Sequence, residues 1–172
     1  INAASTKPFG FQSFYPGPGV GGHCIPVDPY FLYWKAKKLG INLEFIKLAG
    51  RVNDKRPIIL SKEILNYLRN SKFKKSKGTI VFYGVTYKKD SDDIRESPSR
   101  VILKNINESF KKIKVCDPVL SNLSKRALRE YDIIKDKKNY YKFKNKKDIA
   151  IILANHSKFN YQMIRKKFKI VF

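Results

Sequence analysis

Acidic residues are scarce in this chain. Fourteen Asp and Glu stand against 37 Lys and Arg, a formal net charge of +23 over 172 residues. Such an excess can collect phosphates through counterion release. Here the lysines are scattered across helices, loops and strand ends, with no nucleic-acid motif to organise them. Lys37-Lys38, Lys74-Lys75-x-Lys77, Lys111-Lys112, Lys137-Lys138 and Lys146-Lys147 read as solvated faces and loop tips. No nucleic-acid partner is expected, although a basic interaction module is the alternative that the charge alone suggests. A chain-wide bias toward Lys, Asn and Ile equally fits genome composition, and a basic surface also suits a small anionic substrate. Cysteine is nearly absent: Cys24 and Cys116 lie far apart without metal-ligand spacing. That argues against a disulfide framework and against any metal site, and for a reducing cytoplasm. No apolar run approaches the roughly 20 residues a bilayer span requires, and no signal-peptide pattern opens the chain, so no membrane partner is expected.

What is present is enough for a core. Hydrophobic residues make up 42% and aromatics 13%, a balance that excludes global disorder. The length allows one full domain plus part of another. The chain opens at Ile1 without methionine and stops at Phe172 directly after an apolar run, and is expected to be a piece of a longer protein.

The pattern along the chain changes near Lys72–Lys77. Before it, Asp28-Pro29 opens a helix with proline at its first turn, ending at Gly40. A long helix follows from about Asn42, with Phe45, Leu48, Ala49, Val52 and then Leu60, Ile64, Leu65, Leu68 at helical spacing. Pro57 should kink or interrupt it. Such a striped helix joins domains, pairs subunits or simply packs in a core. After the connector, Thr79–Tyr83, Ile113–Cys116, Ile149–Leu153 and Lys169–Phe172 read as buried strands. They alternate with helices starting at Ser97-Pro98, around Ser124–Glu130 and around Tyr161–Lys167. The expectation is an α/β protein. A Rossmann-like, doubly wound domain over residues 76–172 follows a helical part over residues 1–75.

Two stretches carry chemistry. The first, Phe14-Tyr15-Pro16-Gly17-Pro18-Gly19-Val20-Gly21-Gly22-His23-Cys24-Ile25-Pro26-Val27-Asp28, presents a thiol at the end of a glycine-rich loop just before a helix. A helix N-terminus favours the thiolate, and Asp28, one turn on, can cap the helix or activate a water. The loop resembles a dinucleotide phosphate turn only superficially, because no buried strand precedes it and Pro18 removes an amide. Its glycines read as a backbone that passes close to a ligand, or as a structural turn. A pairing of Cys24 with His23 is not expected, since neighbours in an extended segment point apart. The second stretch, Gly84-Val85-Thr86-Tyr87-Lys88-Lys89-Asp90 through Arg95-Glu96-Ser97-Pro98, follows a buried strand and precedes a helix. There Lys88 and Arg95 can offer cations to phosphates, or pair with neighbouring acids in a charged surface loop.

Together with Ala3-Ala4-Ser5-Thr6-Lys7-Pro8-Phe9-Gly10-Phe11, the first stretch resembles the catalytic region of the UDP-glucose/GDP-mannose dehydrogenase family, closest to the branch acting on UDP-N-acetylhexosamines. The second resembles the opening of that family's UDP-binding domain. Asn53-Asp54, Asp117-Pro118 and Asn155-His156 fall in the expected order. The resemblance implies an NAD-dependent oxidation of a UDP-sugar at C6, with NAD as cofactor and a homodimer or larger homo-oligomer. It assigns Cys24 as nucleophile and Asp28 as the acid beside its water. Tyr15, Gly17, Gly19 and Gly21 fall in the loop around the substrate, Lys88 at a substrate contact, and Arg95 at a cofactor contact. It also implies that the family's N-terminal NAD-binding domain lies outside this sequence, so that this part alone is inactive.

Overall fold

The run Ile80–Tyr83 (β1) is buried at every position, and that decides the architecture. A strand apolar on both faces must be covered on both faces, which parallel sheets achieve with crossover helices. In the computed structural model, which describes residues 1–70, 78–143 and 147–172, β1 sits at the centre of a five-stranded sheet. Its neighbours are β2 (Ile113–Cys116), β3 (Asp132–Ile133), β4 (Ile149–Ile152) and β5 (Ile170–Val171), all pairing parallel in the order β3-β2-β1-β4-β5. The doubly wound α/β expectation holds. β3 was not anticipated: two residues carry too little pattern to be read as a strand. The expected boundary connector, with Lys74, Lys75 and Lys77, and Lys146 lie outside the described residues. Lys37, Lys38, Lys111, Lys112, Lys137, Lys138 and Lys147 are exposed, as solvated faces should be.

Two apolar layers flank the sheet. On one side Ile80 and Phe82 pack with Ile64 and Leu68 of α2 (Glu44–Asn70) and with Ile102, Leu103 and Ile106 of α3 (Pro98–Ser109). On the other, Val81 and Tyr83 pack with Tyr140, Phe159, Ile164 of α5 (Tyr161–Lys167) and Phe168. Completely burying a residue such as Leu68 or Ile102 contributes about 1.5–3 kcal/mol. Helix starts follow their caps. The Ser97 hydroxyl accepts from the Ser99 amide at α3, and the Ser121 hydroxyl from the Ser124 amide at α4 (Asn122–Ala127).

Preceding the sheet, α1 (Asp28–Lys38) packs on the first half of α2, where the Tyr30 hydroxyl donates to Asp54 Oδ2 at 3.0 Å. Gly50 lets the Tyr30 ring lie directly on the α2 backbone, with no room for a Cβ. Of the two outcomes expected at Pro57, a kink or an interruption, the interruption does not occur: α2 continues as one helix of 27 residues. Neighbouring side chains support this turn. The Ser61 hydroxyl donates to the Pro57 carbonyl at 2.7 Å and accepts from Asn105 of α3 at 3.2 Å, which ties the two helices together. Asp28 is the first residue of α1 rather than its cap. The capping position is Val27, which has no side-chain acceptor, so Asp28 serves α1 only through its charge near the positive end of the helix dipole.

Candidate functional site

The strand register makes the carboxyl edge of the sheet flush, with Tyr83 opposite both Cys116 and Ile152. The residues that follow therefore emerge together: Gly84 after β1, Asp117 after β2, and the Ala154–Ser157 turn after β4. Chain order reverses between β1 and β4, the place where open α/β sheets bind ligands. Gly84 is required there. Its φ is +73°, and a Cβ would run into the Ala154 carbonyl.

The segment between β1 and α3 is held closed by its own polar groups. The Val85 amide donates to Asp117 Oδ2 at 2.7 Å, the Ser97 hydroxyl donates to the Val85 carbonyl at 2.8 Å, and the Tyr87 amide donates to the Asp93 carbonyl at 3.0 Å. Two non-glycine residues in it, Asp90 (φ 56°) and Glu96 (φ 46°), are left-handed, a conformation that costs of order 1–2 kcal/mol each. Arg95 donates to both oxygens of Asp93, with Nη2 at 2.7 Å from Oδ2. These bonds hold Asp93 below the usual carboxylate range, and the His23 ring adds a smaller effect from across the loop. They raise Arg95 in turn. Of the two readings of this stretch, pairing within a charged surface loop is seen at Arg95, most of whose side chain stays in solvent.

The glycine loop lies on this segment. The Gly22 amide donates to the Arg95 carbonyl at 3.0 Å. A Cβ at Gly21 would collide with Tyr87 and with the Glu96 carbonyl. At Gly19 it would meet Pro98 at 3.1 Å and Pro57 of α2 at 3.3 Å. At these two glycines the missing Cβ admits close approach of the protein to itself. Gly17 borders open space. Tyr15 is exposed, its hydroxyl donating to Asn2 Oδ1 at 2.8 Å.

Beyond Gly22 the chain turns instead of extending. The amides of Val27 and Asp28 both donate to the Cys24 carbonyl, at 2.9 and 2.8 Å. The turn brings His23 Nδ1 to 3.9 Å from Cys24 Sγ, so the expectation that these side chains diverge fails. Cys24 is exposed, whereas Cys116 is buried. Asp28 borders a cavity of about 550 Å³ between α1 and α2, with Val20, Ile25, Tyr30, Phe45 and Asn53, and Cys24 stands outside it. Lys88 is exposed on the β1–α3 segment, its carbonyl accepting from the Thr86 hydroxyl at 3.0 Å. No cluster able to hold a metal exists among the described residues.

Two long motifs some 70 positions apart thus meet at one sheet edge, and the comparisons with known proteins agree with that pairing. Residues 81–172 match the UDP-binding domain of the UDP-glucose/GDP-mannose dehydrogenase family, and residues 1–55 match its central domain. The chain belongs to this family. Relatives include the UDP-N-acetyl-D-mannosamine dehydrogenase of Methanococcus vannielii, 33% identical over 144 residues, 84% of this chain and 30% of that protein. The UDP-N-acetyl-D-glucosamine 6-dehydrogenase of Pseudomonas aeruginosa is 32% identical over 77% of this chain and 31% of its own length. The solved UDP-D-ManNAc dehydrogenase of Pyrococcus horikoshii superposes with a TM-score of 0.73 at 27% identity, covering 99% of this chain and 38% of that one. The chain therefore spans about a third of the length of such relatives.

One group escaped assignment from sequence: the buried His156, with Asp117 and Thr86. The signal was available as Asp117-Pro118 after one strand and Asn155-His156 after another. Only the parallel register shows that both strand ends face the β1 turn.

Proposed function

We propose that this chain is the catalytic-loop and UDP-binding part of a UDP-sugar 6-dehydrogenase. Its substrate is a UDP-N-acetylhexosamine, oxidised from the C6 alcohol to the uronate. The observation that carries the reading is the docking of the Cys24 loop onto the β1–α3 segment, through the Gly22 amide and the Arg95 carbonyl, at the ligand-binding edge of the sheet. The printed names of its relatives support the substrate class. The family matches support a division into residues 1–75, the end of a central domain, and 76–172, the UDP-binding domain. The two unpaired cysteines fit a reducing cytoplasm.

Alcohol to carboxylate is a four-electron oxidation and consumes two NAD+ and one water, releasing two NADH and three protons. The cofactor supplies hydride acceptance. Arg95 fits it as a contact from the rim, with an exposed guanidinium beside the Cys24 turn. The β1 turn, Gly84-Val85-Thr86, has no glycine-rich fingerprint of its own to hold a pyrophosphate. Cys24 Sγ forms a bond to the aldehyde carbon, giving a thiohemiacetal. After its oxidation to a thioester, water cleaves the S–C bond and frees the thiol. Asp28 takes the proton from that water. The loop from Tyr15 to Gly21 surrounds the sugar and uridine, and Lys88 neutralises substrate charge.

Titration of the chain with UDP-N-acetylglucosamine and, separately, with duplex RNA tests the reading. Saturable binding of the nucleotide sugar is expected. Binding of RNA but not of the nucleotide sugar would favour the basic-module alternative that +23 suggests. In the intact enzyme, Cys24→Ser should abolish NADH formation and leave substrate binding in place. Undiminished turnover would remove Cys24 as nucleophile.

A further inference from the structure

His156 is completely buried at the crossover between β1 and β4, and its two ring nitrogens face different parts of the fold. Nδ1 accepts from the Asp90 backbone amide at 2.9 Å. A nitrogen that accepts carries no proton, so we assign the proton to Nε2, which lies 3.2 Å from Asp117 Oδ2 and 3.2 Å from the Thr86 hydroxyl. The Thr86 hydroxyl donates its own proton to the Lys88 carbonyl. Asp90 is gripped a second time by the residue after the histidine. The Ser157 amide reaches its Oδ1 at 2.8 Å and the Ser157 hydroxyl its Oδ2 at 2.6 Å. Lys88 is thus bracketed by Thr86 on one side and Asp90 on the other, and both are tied to His156. Among the described residues Asp90 is also one of two left-handed non-glycine residues, a conformation that persists only where surrounding bonds over-determine it.

We propose that His156 is a positioning residue for nucleotide binding: by accepting the Asp90 amide it fixes the Lys88 turn in the geometry that receives the UDP diphosphate. The role belongs to Nδ1, while the Nε2 bond to Asp117 serves stability. This rests on the UDP-sugar reading above and names a residue of that site which does not itself touch the ligand.

The two nitrogens can be separated by substitution. In His156→Asn the amide oxygen stands where Nδ1 was, which keeps the acceptor for Asp90 and abandons Asp117. In His156→Gln the amide nitrogen stands where Nε2 was, which keeps the donor to Asp117 and strands the Asp90 amide. UDP affinity by calorimetry, amide exchange over residues 86–93 and melting temperature are measured on the 172-residue chain. His156→Asn should melt lower yet keep UDP affinity within about twofold and its loop protection. His156→Gln should melt closer to wild type yet bind UDP about tenfold more weakly, with the loop amides exchanging freely. Affinity and protection that fall in step with melting temperature in both variants would overturn the proposal and leave His156 as packing. A wild-type chain that binds no UDP would instead overturn the UDP-sugar reading, and this inference with it.

Discussion

Two cysteines in one chain give an internal comparison of reactivity. Cys24 is exposed on a turn, whereas Cys116 ends β2 in the interior, where burial pushes its thiol far above the ordinary value. Because the thiolate is the reactive form, iodoacetamide at pH 7.5 should label one thiol in the native chain and a second only in denaturant. Peptide mapping should place the first label on Cys24, and native labelling of Cys116 would contradict the buried sheet edge. A second residue-scale consequence concerns acid. Asp90 is held below the ordinary carboxylate value chiefly by the Ser157 hydrogen bonds, and Asp93 by Arg95. Depressed carboxylates contribute stability that is complete above the unfolded value, about 4, and lost as pH falls through the lower folded value. The β1–α3 segment should therefore stay ordered from neutrality down to pH 4 and loosen below it. In Ser157→Ala, protection of this segment measured by hydrogen exchange should fall at neutral pH and its further loss below pH 4 should shrink, because less of the Asp90 stabilisation is left to titrate away. An unchanged acid profile would show that the Ser157 contacts do not hold Asp90.

Among the elements, the glycine loop is where sequence and structure diverge most usefully. Its importance was legible, because four glycines and three prolines around one thiol are hard to explain as filler. Where it docks was not, since the surfaces that Gly19 and Gly21 approach belong to Pro57, Tyr87 and Pro98. Those contacts span 38 to 79 positions, and no local pattern encodes them. The buried strands and the Ser97 cap were readable because hydrophobic runs and capping chemistry are local. β3 was not, and neither was the convergence of Asp117 with His156, which depends on register. Gly21→Ala tests the docking directly. Its Cβ meets backbone and a ring stem, which cannot swing aside as a flexible side-chain tip could. Overpacking of this kind costs about 1–3 kcal/mol. The expected result is a lower melting temperature together with loss of exchange protection at the Gly22 amide, while the sheet amides of β1 stay protected. A variant as stable as wild type, with Gly22 still protected, would mean that the loop is not docked as described.

At the scale of the whole molecule, the contrast lies along α2. Its second half is buried against the sheet at Ile64 and Leu68, while its first half and α1 expose Phe31, Leu32, Trp34, Phe45, Leu48 and Val52. Phe45 is 82% exposed, against 0% for Leu68 on the same helix. Contiguous apolar surfaces beyond a few hundred Å² are uncommon on monomers and mark contact sites. We propose that a second copy covers this face in a homodimer, one of the arrangements, homodimer or larger homo-oligomer, that the family resemblance implies. An isologous contact of this kind repeats each residue on both sides of the axis, so a single substitution acts twice. Sedimentation velocity should find a dimer that Phe45→Glu dissociates, while Leu123→Glu on α4, equally exposed but on a separate element, leaves it intact. Charge gives the sign of the salt effect. Each copy carries +23, so the copies repel as they approach. Raising ionic strength from about 0.01 M to about 1 M shortens the screening length from roughly 30 Å to roughly 3 Å. The dimer should therefore tighten as salt is added, since apolar burial survives screening while the repulsion does not. Weakening with salt would mean that the contact is made by opposite charges, and the apolar face of α1 and α2 would lose its proposed occupant.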